Sequence, residues 1–559
     1  FIKFNFMQNK KLFFTCFLIL FLSGTYISKA CTNILVSKGA SKDGISVMIS
    51  YTADAGGFME PLYFKDSKDW DATDSLEIYE WDSGKYLGKI KQVSHTYRVI
   101  GNMNENQVAI GETTFGGRDE LAEPNGVMDY GSLIYIALQR SKTAREAIKI
   151  ITDLANEYGY ASSGESMSIS DPNEVWIMEI IGKGTKEKGV VWVARKVPEG
   201  YICAHANQAR IREVPKNDKE NCIYAPDLFS FAEKMGYWDS KSGKEFSFVD
   251  AYCPLEPGSL FLCEGRVWSI FRRAAPSQNF SSDYWRSVKG ADPYPLFIKP
   301  DEKLDVQDMM SLMRDHFEDT DFDMTKGIAA GPFGCPYRWK NIYFRAEGDT
   351  TTKYGFERPI STQQTAFSFV TQSRASMPNA IGGVFWYGLD DSYSTCYMPL
   401  YCCMLERPEP FAKADVTKFD WNSASWIFNL VSNYAYGKYS YIIKDIQAVQ
   451  SEIENNFIAI QPAVEKVATE LEKTDPALAK KYLSDYSVSH AEMVVKRWKE
   501  LGEYIFTKYN DGYINDGKDG GRHPKGVGYG SEWIKRVLKE SPEYYKIGWT
   551  EPKKGTKKK

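Results

Sequence analysis

The junction at Cys31 constrains this 559-residue chain more than any other feature. Lys10 and Lys11 precede the apolar run Leu12-Phe13-Phe14-Thr15-Cys16-Phe17-Leu18-Ile19-Leu20-Phe21-Leu22, which is followed by Ser23-Gly24-Thr25 and Ser28-Lys29-Ala30. A basic start, a short apolar stretch and small residues before a cleavage point mark a secretory signal peptide. The run falls well short of the roughly 20 residues that a membrane-spanning helix needs. Residues 1–30 are therefore expected to be a removable leader starting at Met7. The mature protein is expected to begin at Cys31, to be secreted or periplasmic, and to keep no stable membrane span. A lipoprotein signal would place a Leu-like residue three before the cysteine, where this chain has Ser28. Ordinary cleavage fits better, and it leaves both the thiol and the α-amine of Cys31 free. A lipid-anchored binding protein, with Cys31 as the attachment point, is the rival from another class and stays open at this stage.

Beyond Cys31 the chain reads as a folded α+β protein. Cys31-Thr32-Asn33-Ile34-Leu35-Val36 and Ile45-Ser46-Val47-Met48-Ile49-Ser50-Tyr51 are strand-like and flank the turn-rich Lys38–Gly44. Pairing Ser37 with Ile45 would put Cys31 opposite Tyr51, with Asp54 just past the strand end and near the thiol. Hairpin-like segments at 93–100 and 107–114 precede an amphipathic helix in which Ala144, Ala147, Ile148, Ile151, Leu154, Ala155 and Tyr158 recur at helical spacing, with Ser141 or Thr143 as N-cap. Short strands follow at 166–170, 175–181, 190–195 and 201–206. Long helical stretches, 442–472 and 477–504, are broken by Asp475-Pro476, and 506–532 reads as loop. The domain reading is a leader 1–30, a catalytic domain 31–421 and a helical carboxy-terminal region 422–559 with the basic tail Lys553–Lys559. With 43% hydrophobic residues the chain can bury a large core, and a net charge of -4 provides no field to draw in nucleic acid. Removing Cys16 with the leader leaves nine of ten cysteines, so at least one thiol is unpaired within the chain.

The chemistry is narrowed by what is missing: HExxH, GxSxG, a Walker loop, GxGxxG and CxxC are all absent. No metal or cofactor is expected. With five histidines in the chain, a Cys–His pair would fall to His205, on a strand where a structural histidine is the blander reading. An amino-terminal cysteine needs no histidine, because its α-amine, with a reference pKa near ~7.7–8.0, can take the thiol proton. Asp54 is placed to orient that amine, against the plainer reading as a turn residue before Ala55-Gly56-Gly57. Glu112 offers a carboxylate to a substrate amine, or is a strand-end side chain. Arg266, with Arg272 and Arg273, offers a grip on a substrate carboxylate, or is one of several surface arginines.

Cys31–Val36, Tyr51-Thr52-Ala53-Asp54 and Asn102-Met103-Asn104-Glu105-Asn106-Gln107-Val108-Ala109-Ile110-Gly111-Glu112-Thr113-Thr114-Phe115 resemble the C69 dipeptidases. These are amino-terminal nucleophile hydrolases related to penicillin V acylases and bile salt hydrolases. The likeness continues through Tyr158-Gly159-Tyr160, Trp176-Ile177-Met178-Glu179, His205–Ile211 and Glu264–Trp268, and covers roughly 31–410. It implies an αββα sandwich, a cysteine freed by signal cleavage or self-maturation, and hydrolysis of short peptides. By position, Cys31 is the nucleophile, Asp54 holds the amine, Asn207 supplies an oxyanion donor and Arg266 matches a site arginine. Tyr51, Glu112 and Thr114 fall on the substrate side. Tyr51 stands where the acylases carry arginine, which argues against penicillin or bile-salt specificity. The expected partner is a short peptide; a homo-oligomer is left open.

Overall fold

The structure is a computed structural model that describes residues 31–339, 343–349 and 351–547. The leader, Met7 and the Lys553–Lys559 tail lie outside the described residues. The chain enters at β1 (Thr32–Val36) and returns along β2 (Ser46–Asp54), antiparallel, with Asn33 opposite Tyr51 and Thr32 opposite Thr52. This corrects the sequence register by two residues: Cys31 does not face Tyr51 directly. The turn is longer than the pattern suggests. Lys38–Ala40 coils into a short 3-10 turn, and the Asp43 carboxylate accepts the Ile45 and Ser46 amides at 3.0 and 2.9 Å, delaying the ladder. A slip of two keeps every side chain on its face, so Cys31, Asn33 and Tyr51 still share one side of the sheet.

Further along come β3 (Phe64–Lys65), β4 (Val99–Ile100), β5 (Met103–Asn104), β6 (Ala109–Gly116), β7 (Gly164–Ser170), β8 (Val175–Gly182), β9 (Val190–Lys196), β10 (Ile202–His205) and β11 (Cys222–Tyr224). The last four strands of the two main sheets are β12 (Phe297–Ile298), β13 (Thr365–Arg374), β14 (Val384–Leu389) and β15 (Met398–Tyr401). Among the described residues they build a seven-stranded sheet, ordered β12-β10-β1-β2-β13-β14-β15, and an eight-stranded sheet, ordered β11-β9-β8-β7-β6-β5-β4-β3. Strand β8 is buried on both sides, which explains its nearly unbroken apolar sequence. Ile177 and Ile181 join the cluster that holds Leu35 and Ile49 of the opposite sheet. Trp176, Met178 and Ile180 turn the other way, onto α1 (Tyr130–Arg140) and α2 (Ala144–Tyr158), where they meet Ile134, Ile148 and Ile151. Helix α2 starts where its sequence indicates, with the Thr143 hydroxyl accepting the Glu146 amide at 3.1 Å.

The outer face of the seven-stranded sheet is covered by α3 (Pro257–Ala274) and α4 (Val306–Met313), completing an αββα stack of α+β class. The carboxy-terminal helices α5 (Ala424–Ala435), α6 (Tyr439–Thr474) and α7 (Pro476–Lys508) follow the expected break at Asp475-Pro476. Their apolar faces, with Phe428, Ile446, Phe457, Leu483 and Trp498, belong to the same buried cluster as β1 and β2. Two ion pairs fasten α6 to the sandwich: Arg374 of β13 to Glu465 at 2.6 Å, and Arg314 after α4 to Glu454 at 2.6 Å. Glu179 of β8 receives the Arg210 and Ile211 amides, at 2.5 and 3.2 Å, and so pins the loop that leaves β10.

Two measurements check this packing. Glu465→Ala leaves the Arg374 guanidinium buried without its carboxylate and is expected to cost about 3 kcal/mol of unfolding free energy in a urea titration. Burial pushes the Glu179 carboxyl up to about 7 from an ordinary 4.5. A carboxyl whose folded pKa is raised stabilises the fold fully below its unfolded value and loses that contribution as pH rises through the folded one. The stability advantage of wild type over Glu179→Gln is therefore expected to shrink between roughly pH 4.5 and 7, read from urea midpoints across that window.

Candidate active site

Cys31 sits at the mouth of the β1–β2 hairpin, 4% exposed. Its sulfur lies 3.6 Å from the Tyr51 hydroxyl and 3.6 Å from Glu112 Oε1, and the Asp54 amide is hydrogen-bonded to it. Tyr51 donates to the same Glu112 oxygen at 2.8 Å. Glu112 comes from β6 of the other sheet, so the two sheets must approach closely here. Gly111 permits it: a Cβ there would stand 2.3 Å from Asn33 Oδ1 and 3.3 Å from Tyr51 Cβ. Asn33 Nδ2 in turn donates to the Glu112 carbonyl at 2.7 Å, locking the strands at that spacing.

Asp54 lies beside the thiol, as the sequence places it, with its carboxylate held by three donors. Thr365 Oγ1 donates at 2.6 Å, Arg358 Nη2 at 3.0 Å and Thr52 Oγ1 at 3.2 Å. Burial still wins over these bonds and raises the Asp54 carboxyl above the usual carboxylate range, the Arg358 charge being the largest opposing effect. The Cys31 thiol is pushed well above its ordinary value, first by burial and then by the negative charges of Glu112 and Asp54. As surrounded here, the sulfur is a thiol, not a thiolate.

Arg266 is wholly buried and is not among the residues lining the cavity beside Cys31, which corrects its reading as a grip on a substrate carboxylate. Nη1 donates to the Cys31 carbonyl at 2.5 Å and to Thr32 Oγ1 at 3.0 Å. Nη2 donates to the Ala206 carbonyl at 3.2 Å and to Asn207 Oδ1 at 3.0 Å, and Nε to the Leu262 carbonyl at 3.0 Å. Burial, then the Arg358 charge, brings its pKa down to about 10, so it stays cationic. Arg272 and Arg273 are spent elsewhere, on Asp315 at 3.2 and 3.5 Å. Asn207, on the far side of the Arg266 clamp, adopts a left-handed φ of 57° and donates Nδ2 to the Thr114 carbonyl at 2.8 Å. Thr114 turns its hydroxyl to Glu165 at 2.8 Å and is not among the residues lining the cavity beside Cys31. His205 is excluded as a partner of the thiol. Its ring nitrogens are taken by Thr113 Oγ1 at 2.7 Å and Ser168 Oγ at 2.8 Å, and burial lowers its pKa to about 3, so it bridges the two sheets as a neutral ring.

The cavity over the sulfur is narrow, with about 50 Å³ of inner space, and Cys31, Tyr51, Asp54 and Glu112 all line it. Sequence reasoning missed much of the rest of its wall, including Glu60, Trp81, Asp82, Tyr130, Tyr135 and Phe367. It also missed Arg358 and Thr365, which reach Asp54 from more than 300 residues away. Apart from Tyr135 in the middle of α1 and Phe367 within β13, these side chains sit in short irregular connections or at element ends, where no periodicity signals them. Among the described residues no group of three or more His, Cys, Asp or Glu side chains is arranged to hold a metal ion, and the nine cysteines are free thiols.

The model of peptidase family C69 matches residues 71–452. A probable dipeptidase of Salmonella dublin is 25% identical over 389 residues, 66% of this chain and 81% of that protein. A probable dipeptidase B of Streptococcus pyogenes serotype M1 is 24% identical over 509 residues, 85% of this chain and 92% of the relative. Dipeptidase A of Lactobacillus helveticus is 23% identical over 423 residues, 72% and 81% of the two chains. The family match spans most of the eight-stranded sheet, the Arg266 helix and the strand that carries Thr365, and this chain belongs to peptidase family C69.

Proposed function

We propose that this protein is a dipeptidase whose nucleophile is Cys31, acting as the amino-terminal residue of a secreted or periplasmic mature chain. One observation carries the reading: the Cys31 sulfur lies 3.6 Å from Glu112, beside Asp54 and on a cavity wall. Carboxylates disfavour a thiolate, yet they favour an ammonium beside it. A freed α-amine at Cys31 supplies that group. The amine takes the thiol proton, Asp54 and Glu112 hold the resulting ammonium, and the thiolate attacks the peptide carbonyl. Asn207 is the proposed donor to the tetrahedral oxyanion. The ammonium then returns its proton to the leaving nitrogen, the C–N bond breaks, and a thioester remains on Cys31. Water, deprotonated by the same amine, releases the first amino acid. Arg266 acts as a positioning residue, fixing the Cys31 backbone against Asn207. Thr114 helps indirectly through its carbonyl, which steadies the Asn207 amide.

The dipeptidase reading rests on the names of the relatives and on Glu112, whose carboxylate 3.6 Å from the sulfur is the proposed partner of a substrate α-ammonium as well as of the Cys31 amine. An acylase acting on penicillin V or conjugated bile acids is the second reading. Those compounds are anions without a free amine, and Glu112, Glu60 and Asp82 make this cavity a poor host for them.

Cys31→Ala, produced as the same processed chain, is expected to lower kcat/KM for dipeptides by about a thousandfold or more, measured by release of free amino acid. Activity near wild type would remove Cys31 as nucleophile. Intact mass of the mature protein is expected to correspond to an unmodified chain starting at Cys31; diacylglycerol on that residue would favour the lipid-anchored protein instead. A panel of dipeptides against penicillin V and glycocholate is expected to show turnover of the dipeptides, and turnover of the acyl compounds alone would replace this reading with the second.

A further inference from the structure

The start of α6 borders a second cavity, which shares no lining residue with the one at Cys31. It is an open groove with about 770 Å³ of inner space, between the α5–α6 junction and a small hairpin that pairs Tyr513–Ile514 with Lys525–Gly526. Its walls are largely aromatic: Phe333, Tyr434, Tyr509, Tyr513 and Tyr529 line it, with the Phe333 and Tyr529 rings 5.8 Å apart. Lys438 is set into that wall and is only 8% exposed. Its Nζ lies 5.6 Å from the Phe333 ring centroid and 3.4 Å from where a Cβ at Gly512 would stand, and both of those residues face the groove. Among the described residues the Lys438 side chain has no hydrogen bond and no ion pair. Burial lowers its pKa from the ordinary lysine value, and no neighbouring carboxylate offsets that. The local sequence makes the placement unfavourable in a second way. Lys438 is the N-cap of the 36-residue α6, a position that suits Ser, Thr, Asp or Asn. A helix start carries partial positive charge, so the ammonium is opposed by desolvation and by the helix at once, and an anion relieves both. The Ser440 amide is already taken by the Phe333 carbonyl at 3.0 Å, which leaves the ammonium as the contact for that anion.

We infer that the groove at Lys438 is a binding site for a small monoanion that joins a carboxylate to an aromatic ring. The carboxylate meets the Lys438 ammonium at the start of α6, and the ring lies against Phe333 and Tyr529. Asp511 is the other charged residue of the lining, and its charge is felt at Tyr434 but not at Lys438. With one cation and one carboxylate in the wall, a monoanion balances Lys438, whereas a phosphate monoester brings a second negative charge towards Asp511. Gly437 and Gly528 keep the groove clear, since a Cβ at either would meet nothing within 4 Å. The free end of a peptide closing on Phe or Tyr and a free aromatic acid present this same chemistry. The site does not depend on the dipeptidase reading.

Calorimetric titration of the mature protein with phenylpropionate and with phenylpropanol tests the site, since neither ligand holds an amide bond for Cys31 to cleave. The acid is expected to bind about tenfold or more tighter than the alcohol, which keeps the ring and loses the charge, and than acetate, which does the reverse. Lys438→Met keeps the apolar stem and is expected to abolish the preference for the acid; Lys438→Arg is expected to retain it. Tyr529→Ala should weaken the acid about threefold. Because Lys438→Met removes a buried charge without a partner, its urea midpoint is expected to equal or exceed that of wild type, and its dipeptide turnover to be unchanged. Equal affinity for acid and alcohol, an affinity unmoved by Lys438→Met, tighter binding of phenyl phosphate, or a lowered urea midpoint that assigns the lysine to the fold overturns the inference. Binding of Ala-Ala-Phe to Cys31→Ala, with and without Lys438→Met, distinguishes the two sources. Affinity that depends on Lys438 identifies the peptide end, and affinity that does not leaves the free aromatic acid.

Discussion

Arg266 is the group on which the candidate site hangs. A guanidinium has five N–H donors in a fixed plane, and here the five recorded bonds go to Cys31, Thr32, Ala206, Asn207 and Leu262. Three separate parts of the chain, the start of β1, the end of β10 and the body of α3, are thereby held to one rigid fork. Burying a charge so deeply is tolerable only when its donors are satisfied and an opposite charge is near. Asp54 provides that charge, and Arg358 then serves Asp54 from its other side. The position of the sulfur follows from this chain of pairings more than from the hairpin alone. A strand end is by itself free to fray, and the bond from Arg266 to the Cys31 carbonyl prevents it.

The electrostatics at the sulfur make sense as half of an arrangement. Around Cys31 the carboxylates of Asp54 and Glu112 oppose ionisation of the thiol, and burial opposes it further. A histidine-assisted cysteine would need the reverse, a cation facing the sulfur, and His205 is locked into an inter-sheet bridge as a neutral ring. In the proposed mechanism an α-ammonium on Cys31 itself would resolve the conflict, because the charge that stabilises the thiolate would be attached to the same residue and held by the two carboxylates.

Much of the framework could be read from residue patterns. Periodicity located α2, the strands from Gly164 to His205 and the two long helices to within a few residues, since those elements carry one strongly apolar face or are buried on both. The hairpin register was misjudged by two because the side chain of Asp43 competes for amides that a simple turn would leave to the ladder. The site was legible only where it lay on such elements: Cys31, Tyr51, Asp54 and Glu112 are on β1–β2 and β6 or at their ends. Arg266 is legible from sequence as a site arginine by resemblance and as a grip on a substrate carboxylate or a surface arginine by its charge, but its helical spacing does not tell which neighbours cover it. Glu60, Trp81, Asp82, Arg358 and Thr365 come from loops and edges whose convergence is a property of the tertiary fold, and nothing local in their sequence announces it.

The carboxy-terminal helices gain a role from the same chain of contacts. Strand β13 supplies Thr365 to the Asp54 carboxylate, and Phe367 and Phe369 to the Tyr51 ring, at centroid distances of 5.8 and 5.4 Å. Both carboxylates beside the sulfur therefore depend on where β13 lies, Asp54 directly and Glu112 through Tyr51. At its far end β13 is anchored by Arg374, whose guanidinium binds Glu465 of α6 and the carbonyls of Ile381 and Gly382. The next strands outward, β14 and β15, are backed by α5 and α7 within the same buried cluster. Without that cover, β13 to β15 would present a wide apolar face to water at the open edge of the sheet. The helical region is thus the outer support of the strand that orients Tyr51 and Asp54, and its packing energy is spent on holding the hairpin that presents Cys31.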